Sequence, residues 1–106
     1  MGDALTRLAD AVEAGTATEA DFDAAWPHAM NGEHHYAKTA YHGSLDAAKA
    51  LHEAVLPEWW FAIQPTGATV GKMERTHDGN VFDGANQNPA RAWLLAILRA
   101  LAQVKK

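Results

Sequence analysis

The chain has 106 residues, a formal net charge of −4, and 48% apolar against 21% charged residues. That balance describes one globular domain rather than a disordered tail, and the sign of the charge argues against nucleic acid or anionic lipid as a general partner. With no cysteine in the sequence, disulfides, thiolate metal centres and thiol nucleophiles are all excluded.

The opening residues predict a helix: Asp3 can cap it, Leu5, Leu8 and Val12 share one face, and Gly15 supplies a left-handed stop. Thr18 opens a second, shorter helix, with a Thr-x-x-Asp spacing to Asp21 that resembles a capping box. Phe22 and Trp26 are spaced to press on one surface there, and Pro27 ends the segment. Residues 1–26 thus form a helical lead-in. Residues 27–43 show no sustained period of either kind and are punctuated by Gly32 and Gly43. They read as an ordered loop, with a short strand around His35 to Ala37. Ser44 then caps a helix through Val55, with Leu45, Ala48, Leu51 and Val55 as its buried stripe.

Three strands follow. WWFAIQ, residues 59–64, is rich in aromatic and β-branched types and is followed by a Pro-Thr-Gly turn. TVGKMERT, residues 69–76, alternates loosely, and Asp78-Gly79 is a strong hairpin signal before the third strand, VFDGA. Asn88-Pro89 opens a last helix, since Asn accepts from free amides and Pro is pre-set for the first helical position. Trp93, Ile97, Leu101 and Val104 make one stripe of it, widened by Leu94 and Leu98. A stripe that broad implies deep burial or a partner surface, so Trp93, Leu94 and Ile97 are the candidate partner interface.

The segment YHGSLDAAKALHEAVLPEWWFAIQP, with ANQNPARAWLLAILRAL after it and ALTRLADAVEAGTATEADFDAAW before it, resembles the phage ABA sandwich domain family of small bacteriophage proteins. The likeness runs over most of the chain and is loosest over 27–43. It rests on a helix cap, an aromatic first strand and a small-residue last helix. Gln64-Pro65-Thr66-Gly67 stands where the family has an acidic or glycine-rich turn. The resemblance implies an α/β/α layered sandwich, a phage origin and no catalytic residues.

Candidate chemistry is sparse. His34, His35 and His42, with His28 or Glu33, supply enough ligands for zinc or nickel. Neighbouring histidines on an extended segment point apart, however, and no His-Glu-x-x-His is present, so the expectation is no metal and no cofactor. Ser44 is the sole serine and serves as a helix cap, outside any Gly-x-Ser-x-Gly elbow. Trp60, Arg75, Asn88 and Arg91 are the candidate ligand-binding residues: Trp59 and Trp60 face opposite sides of the first strand, and the others could line an anion-accepting groove.

The expectation is therefore a single α+β domain over 1–106. A three-stranded antiparallel meander has helices packed on it, in the order α-α-α-β-β-β-α. Its function is expected to be non-enzymatic: a bacteriophage accessory protein in the host cytoplasm, blunting a host process or defence. It would do so by occupying a host protein or sequestering a small nucleotide-like ligand, as a monomer or homo-oligomer and without a membrane. The alternatives are a nucleic-acid-binding module with the strand order of a double-stranded-RNA-binding domain, or a minor virion component.

Overall fold

A computed structural model describes residues 2–25, 33–72 and 81–104. Its elements are α1 (Gly2–Ala14), α2 (Glu19–Ala25), α3 (Glu33–Tyr41), α4 (Leu45–Val55), β1 (Trp59–Gln64), β2 (Gly67–Lys72), β3 (Val81–Ala85) and α5 (Pro89–Val104). This is an α+β fold with an antiparallel meander in the order β1-β2-β3 and helices packed on it.

The local signals act as their chemistry dictates. Thr18 and Asp21 form the reciprocal box: Thr18 N–H donates to Asp21 Oδ2 at 2.9 Å and Asp21 N–H to Thr18 Oγ1 at 3.3 Å. Leu5, Leu8 and Val12 are buried along α1, and Gly15 closes it at φ 78°. The side chains of Asp3 and Trp26, the Asp78-Gly79 turn and residues 73–76 of the expected second strand lie outside the described residues.

One helix was hidden from the pattern. Residues 33–41, expected as a loop with a strand around His35, are the helix α3. Its buried positions are Ala37, Ala40 and Tyr41, at helical spacing. Two of the three are alanines, too small to mark an apolar period. The count before the sheet is therefore four helices rather than three. Gly43, at φ 107°, ends α3 in a Schellman motif: Ser44 N–H donates to Thr39 C=O and Gly43 N–H to Ala40 C=O. The same Ser44 then caps α4, its Oγ accepting from Ala47 N–H at 3.1 Å. Two helices meet at one residue. That leaves α3 and α4 packed side by side.

The stripe on α4 is turned slightly from the expected one. Ala47, Ala48, Leu51 and His52 are buried with Val55 behind them, while Leu45 is 44% exposed. Leu45 sits about 90° around the helix from the centre of that set.

Helix α5 explains the layering. It packs on the sheet with one side and on α1, α3 and α4 with the others. Residues 92–98 are consequently all buried. The sheet was expected between two helical layers; among the described residues its helices lie on one side only. The outer face offers small or polar residues such as Ala62, Gln64, Thr69, Gly71, Asp83 and Ala85, which give an amphipathic helix little to bury. Helices α1, α3 and α4 pack on α5 instead, and α2 packs on α1 and α3. No helix among the described residues is long and apolar enough to cross a membrane.

Candidate functional site: the outer sheet face and the histidine beneath it

Pairing in the meander sorts its residues into two faces. Phe61 is level with Val70 and Phe82, and Ile63 with Ala68 and Gly84. These face α5. At Gly84 a Cβ would sit 2.5 Å from Ala92 O and 2.8 Å from Leu95 Cβ, so β3 lies directly against the helix there. Trp60, Gly71 and Val81 are level with each other on the opposite face.

Trp60 lies over the Gly71 backbone. A Cβ on Gly71 would fall 2.4 Å from Trp60 Cζ2 and 2.7 Å from its Nε1. The indole is thus laid along the sheet, 38% exposed, beside Val81 at 51%. At its start the strand borders a surface depression of ≈ 520 Å³ lined by Pro57, Glu58, Trp59 and Trp60. An aromatic already seated on a glycine can meet a flat partner surface with little further loss of side-chain freedom.

Beneath β1 on the helix side is a buried polar group that sequence reasoning left unused. His52 of α4 is 2% exposed. Its Nδ1 accepts from Trp93 Nε1–H at 3.2 Å, which leaves the proton on Nε2, 2.9 Å from the Trp59 carbonyl oxygen that accepts it. Phe61 stacks on Trp93 at 4.6 Å and meets the His52 ring edge-on at 5.0 Å. Both ring nitrogens are therefore satisfied only in the neutral form. The signal in the sequence was spacing: His52 is four residues after Ala48 and one after Leu51, on the buried stripe.

Burial lowers the His52 pKa below the usual 6.5, against the opposing pull of the Trp59 carbonyl and the Glu53 charge. In the unfolded chain the imidazole binds a proton near pH 6.5; in the folded chain it does so only at lower pH. Between those values the unfolded state holds more protons, so stability falls as pH falls. The His52 contribution is complete above pH 6.5 and is lost as pH drops through the folded value. Thermal melts at pH 7.5 and 5.0 check this: part of the wild-type decline should vanish in His52→Gln, which cannot titrate there.

The expected ligand-binding residues do not come together. Asn88 caps α5, its Oδ1 accepting from Ala90 N–H at 2.9 Å and Arg91 N–H at 3.3 Å. Arg91 is committed to Tyr41, donating from Nε to its carbonyl and lying 4.2 Å over its ring. This pair belongs to the end of the sheet where Asn86 N–H meets Thr66 C=O. Trp60 is on the opposite face and four strand positions away, about 13 Å along β1. Arg75 lies outside the described residues.

The expected partner interface is also corrected. Trp93, Leu94 and Ile97 are buried inside this chain, with at most 4% exposure, because α5 packs between its own sheet and the helices α1, α3 and α4. His35 and His42 are exposed on and after α3, and the side chains of His28, Glu33 and His34 lie outside the described residues. Among the described residues no three His, Asp or Glu side chains converge as metal ligands.

No family model matches this chain, and neither a curated protein nor a solved structure matches it.

Proposed function

We propose that the chain is a non-enzymatic bacteriophage accessory protein that blunts a host process or defence by occupying a host protein through the outer face of its sheet. The sequence resemblance supports the phage origin. The observation that carries the binding reading is Trp60, seated on Gly71 beside exposed Val81. Such a pre-set aromatic, ringed by small residues, is the type of anchor that dominates protein interfaces. Arg91 and Arg99 are engaged elsewhere: Arg91 with Tyr41, and Arg99 with Glu13 and the Asp83 carbonyl. A protein partner therefore fits this face better than a phosphate-bearing one. A second reading draws on the same residue, because the outward indole face could stack a planar base of a small nucleotide-like ligand.

The test is capture from host lysate by tagged wild type and by Trp60→Ala, with mass spectrometry of retained proteins and small molecules. Wild type should retain one host protein. Trp60→Ala should weaken that complex roughly 30-fold or more, a loss of about 2 kcal/mol typical of an anchor. The same change should alter folding stability by less than about 1 kcal/mol, since the ring is at the surface. Equal retention by both proteins contradicts this reading; depletion of a nucleotide without a protein partner favours the second.

A further inference from the structure

The two outer strands of the sheet are finished differently. On β3 the outward carbonyl of Asp83 accepts from Arg99 Nη1 at 2.8 Å, and Arg99 Nη2 is held by Glu13 at 2.9 Å. Arg99 of α5, braced by Glu13 of α1, thus covers an outward group at the middle of that edge, and the strand also carries the charge of Asp83. On β1, Trp59 N–H donates to Leu56 C=O at 3.1 Å and Trp59 C=O accepts from His52 at 2.9 Å, so both groups turn away from β2. Antiparallel pairing alternates residues turned toward the partner strand with residues turned away. Phe61 and Ile63 are therefore turned away as well, and no described group meets their N–H and C=O. Edges of this kind are normally blunted by Lys, Pro or a bulge within the strand. WWFAIQ has no charge and no proline, and Phe61 is 43% exposed on it.

We infer that β1 pairs antiparallel with β1 of a second copy of this chain, centred on Ala62, joining two meanders into one continuous sheet. In that register Phe61 of each copy faces Ile63 of the other, and their free backbone groups satisfy one another. The next outward pair sets Trp59 against Pro65 of the second copy. Trp59 is already bonded and Pro65 has no N–H, so the ladder ends without an orphaned donor. Centring on Phe61 would waste Ile63 against the committed Trp59, and centring on Ile63 would set Phe61 against Pro65. Side chains agree with the register: Phe61 meets Ile63, an aromatic against a β-branched residue, and Trp60 meets uncharged Gln64. The pairing is independent of the host-protein reading, and it would place the two Trp60 faces side by side on one surface.

The absence of native cysteine makes single-cysteine variants a clean report of register. Ala62 would lie in a non-hydrogen-bonded pair with its own equivalent, Cα atoms about 4.5 Å apart and within disulfide reach. Gln64 would be displaced from its equivalent by about 13 Å along the strand. Under mild oxidation A62C should form a covalent dimer and Q64C should not. Wild type should sediment at twice 11.4 kDa, and Ile63→Lys at 11.4 kDa with unchanged circular dichroism. Wild type that stays at 11.4 kDa up to its solubility limit, or A62C that cross-links no faster than Q64C, overturns the inference. If Ile63→Lys does not fold, the cysteine pair decides alone. A monomer that still retains a host protein through Trp60 overturns only the pairing, whereas a cross-linked dimer whose Trp60→Ala form retains that protein overturns only the binding reading.

Discussion

Gly84→Ala should destabilise the protein by about 3 kcal/mol or more, at the upper end of what overpacking costs. The added Cβ would meet Ala92 O at 2.5 Å, Leu95 Cβ at 2.8 Å and Ala96 N at 3.0 Å. Two of these are backbone atoms of α5, which no rotamer change can move. The sheet and α5 must separate, and α5 is also the surface on which α1, α3 and α4 pack. For a domain of this size such a loss lowers Tm by roughly 15 °C. Gly71→Ala is the matched control. Its nearest contacts are all atoms of the Trp60 side chain, which is partly exposed and free to swing outward. Urea titration of both variants checks the contrast: a large fall in midpoint for the first and a small one for the second. Equal effects would mean that β3 does not lie against α5 as described.

The second large effect is expected at Trp93. Truncation to alanine removes a buried indole and should cost about 3–5 kcal/mol from the cavity alone. It also strips His52 Nδ1 of its donor. Trp93→Phe separates the two contributions. The ring still packs on Phe61, but the buried nitrogen is left unmatched, which should cost about 1–3 kcal/mol. The orphaned lone pair also changes the acid response. With no indole N–H to oppose a proton on Nδ1, His52 should protonate more readily in Trp93→Phe, and the decline in stability below pH 6.5 should flatten. Equilibrium denaturation of both variants at pH 7.5 and 5.0 measures size and slope together.

The elements legible in the sequence were those fixed by local chemistry. The Thr18–Asp21 box, the Ser44 cap, the aromatic run of β1 and the Asn88-Pro89 start of α5 each specify their own geometry within a few residues. What escaped depended on partners remote in the chain. Helix α3 buries alanines, and Ala37 and Ala40 become core only because a neighbouring helix comes close enough to need small residues. The breadth of the α5 stripe left open whether Trp93, Leu94 and Ile97 meet a second protein or this chain's own layers, and only the packing decides that. For the site, alternation correctly split Trp59 from Trp60, but whether a helix covers the outer face is a property of the whole arrangement. His52 could have been found by helical phase alone, had the stripe been centred on Leu51 rather than drawn through Leu45.

Whether the sheet has one covered and one open face is decided most directly by tryptophan oxidation footprinting of the free protein, read residue by residue in the mass spectrometer. Trp60, on the open face, should oxidise early, and Trp93, between α5 and the sheet, should stay protected until the protein unfolds. Protection of Trp60 equal to that of Trp93 in the free monomer would mean that both faces are covered, and would contradict the one-sided architecture on which the binding surface depends.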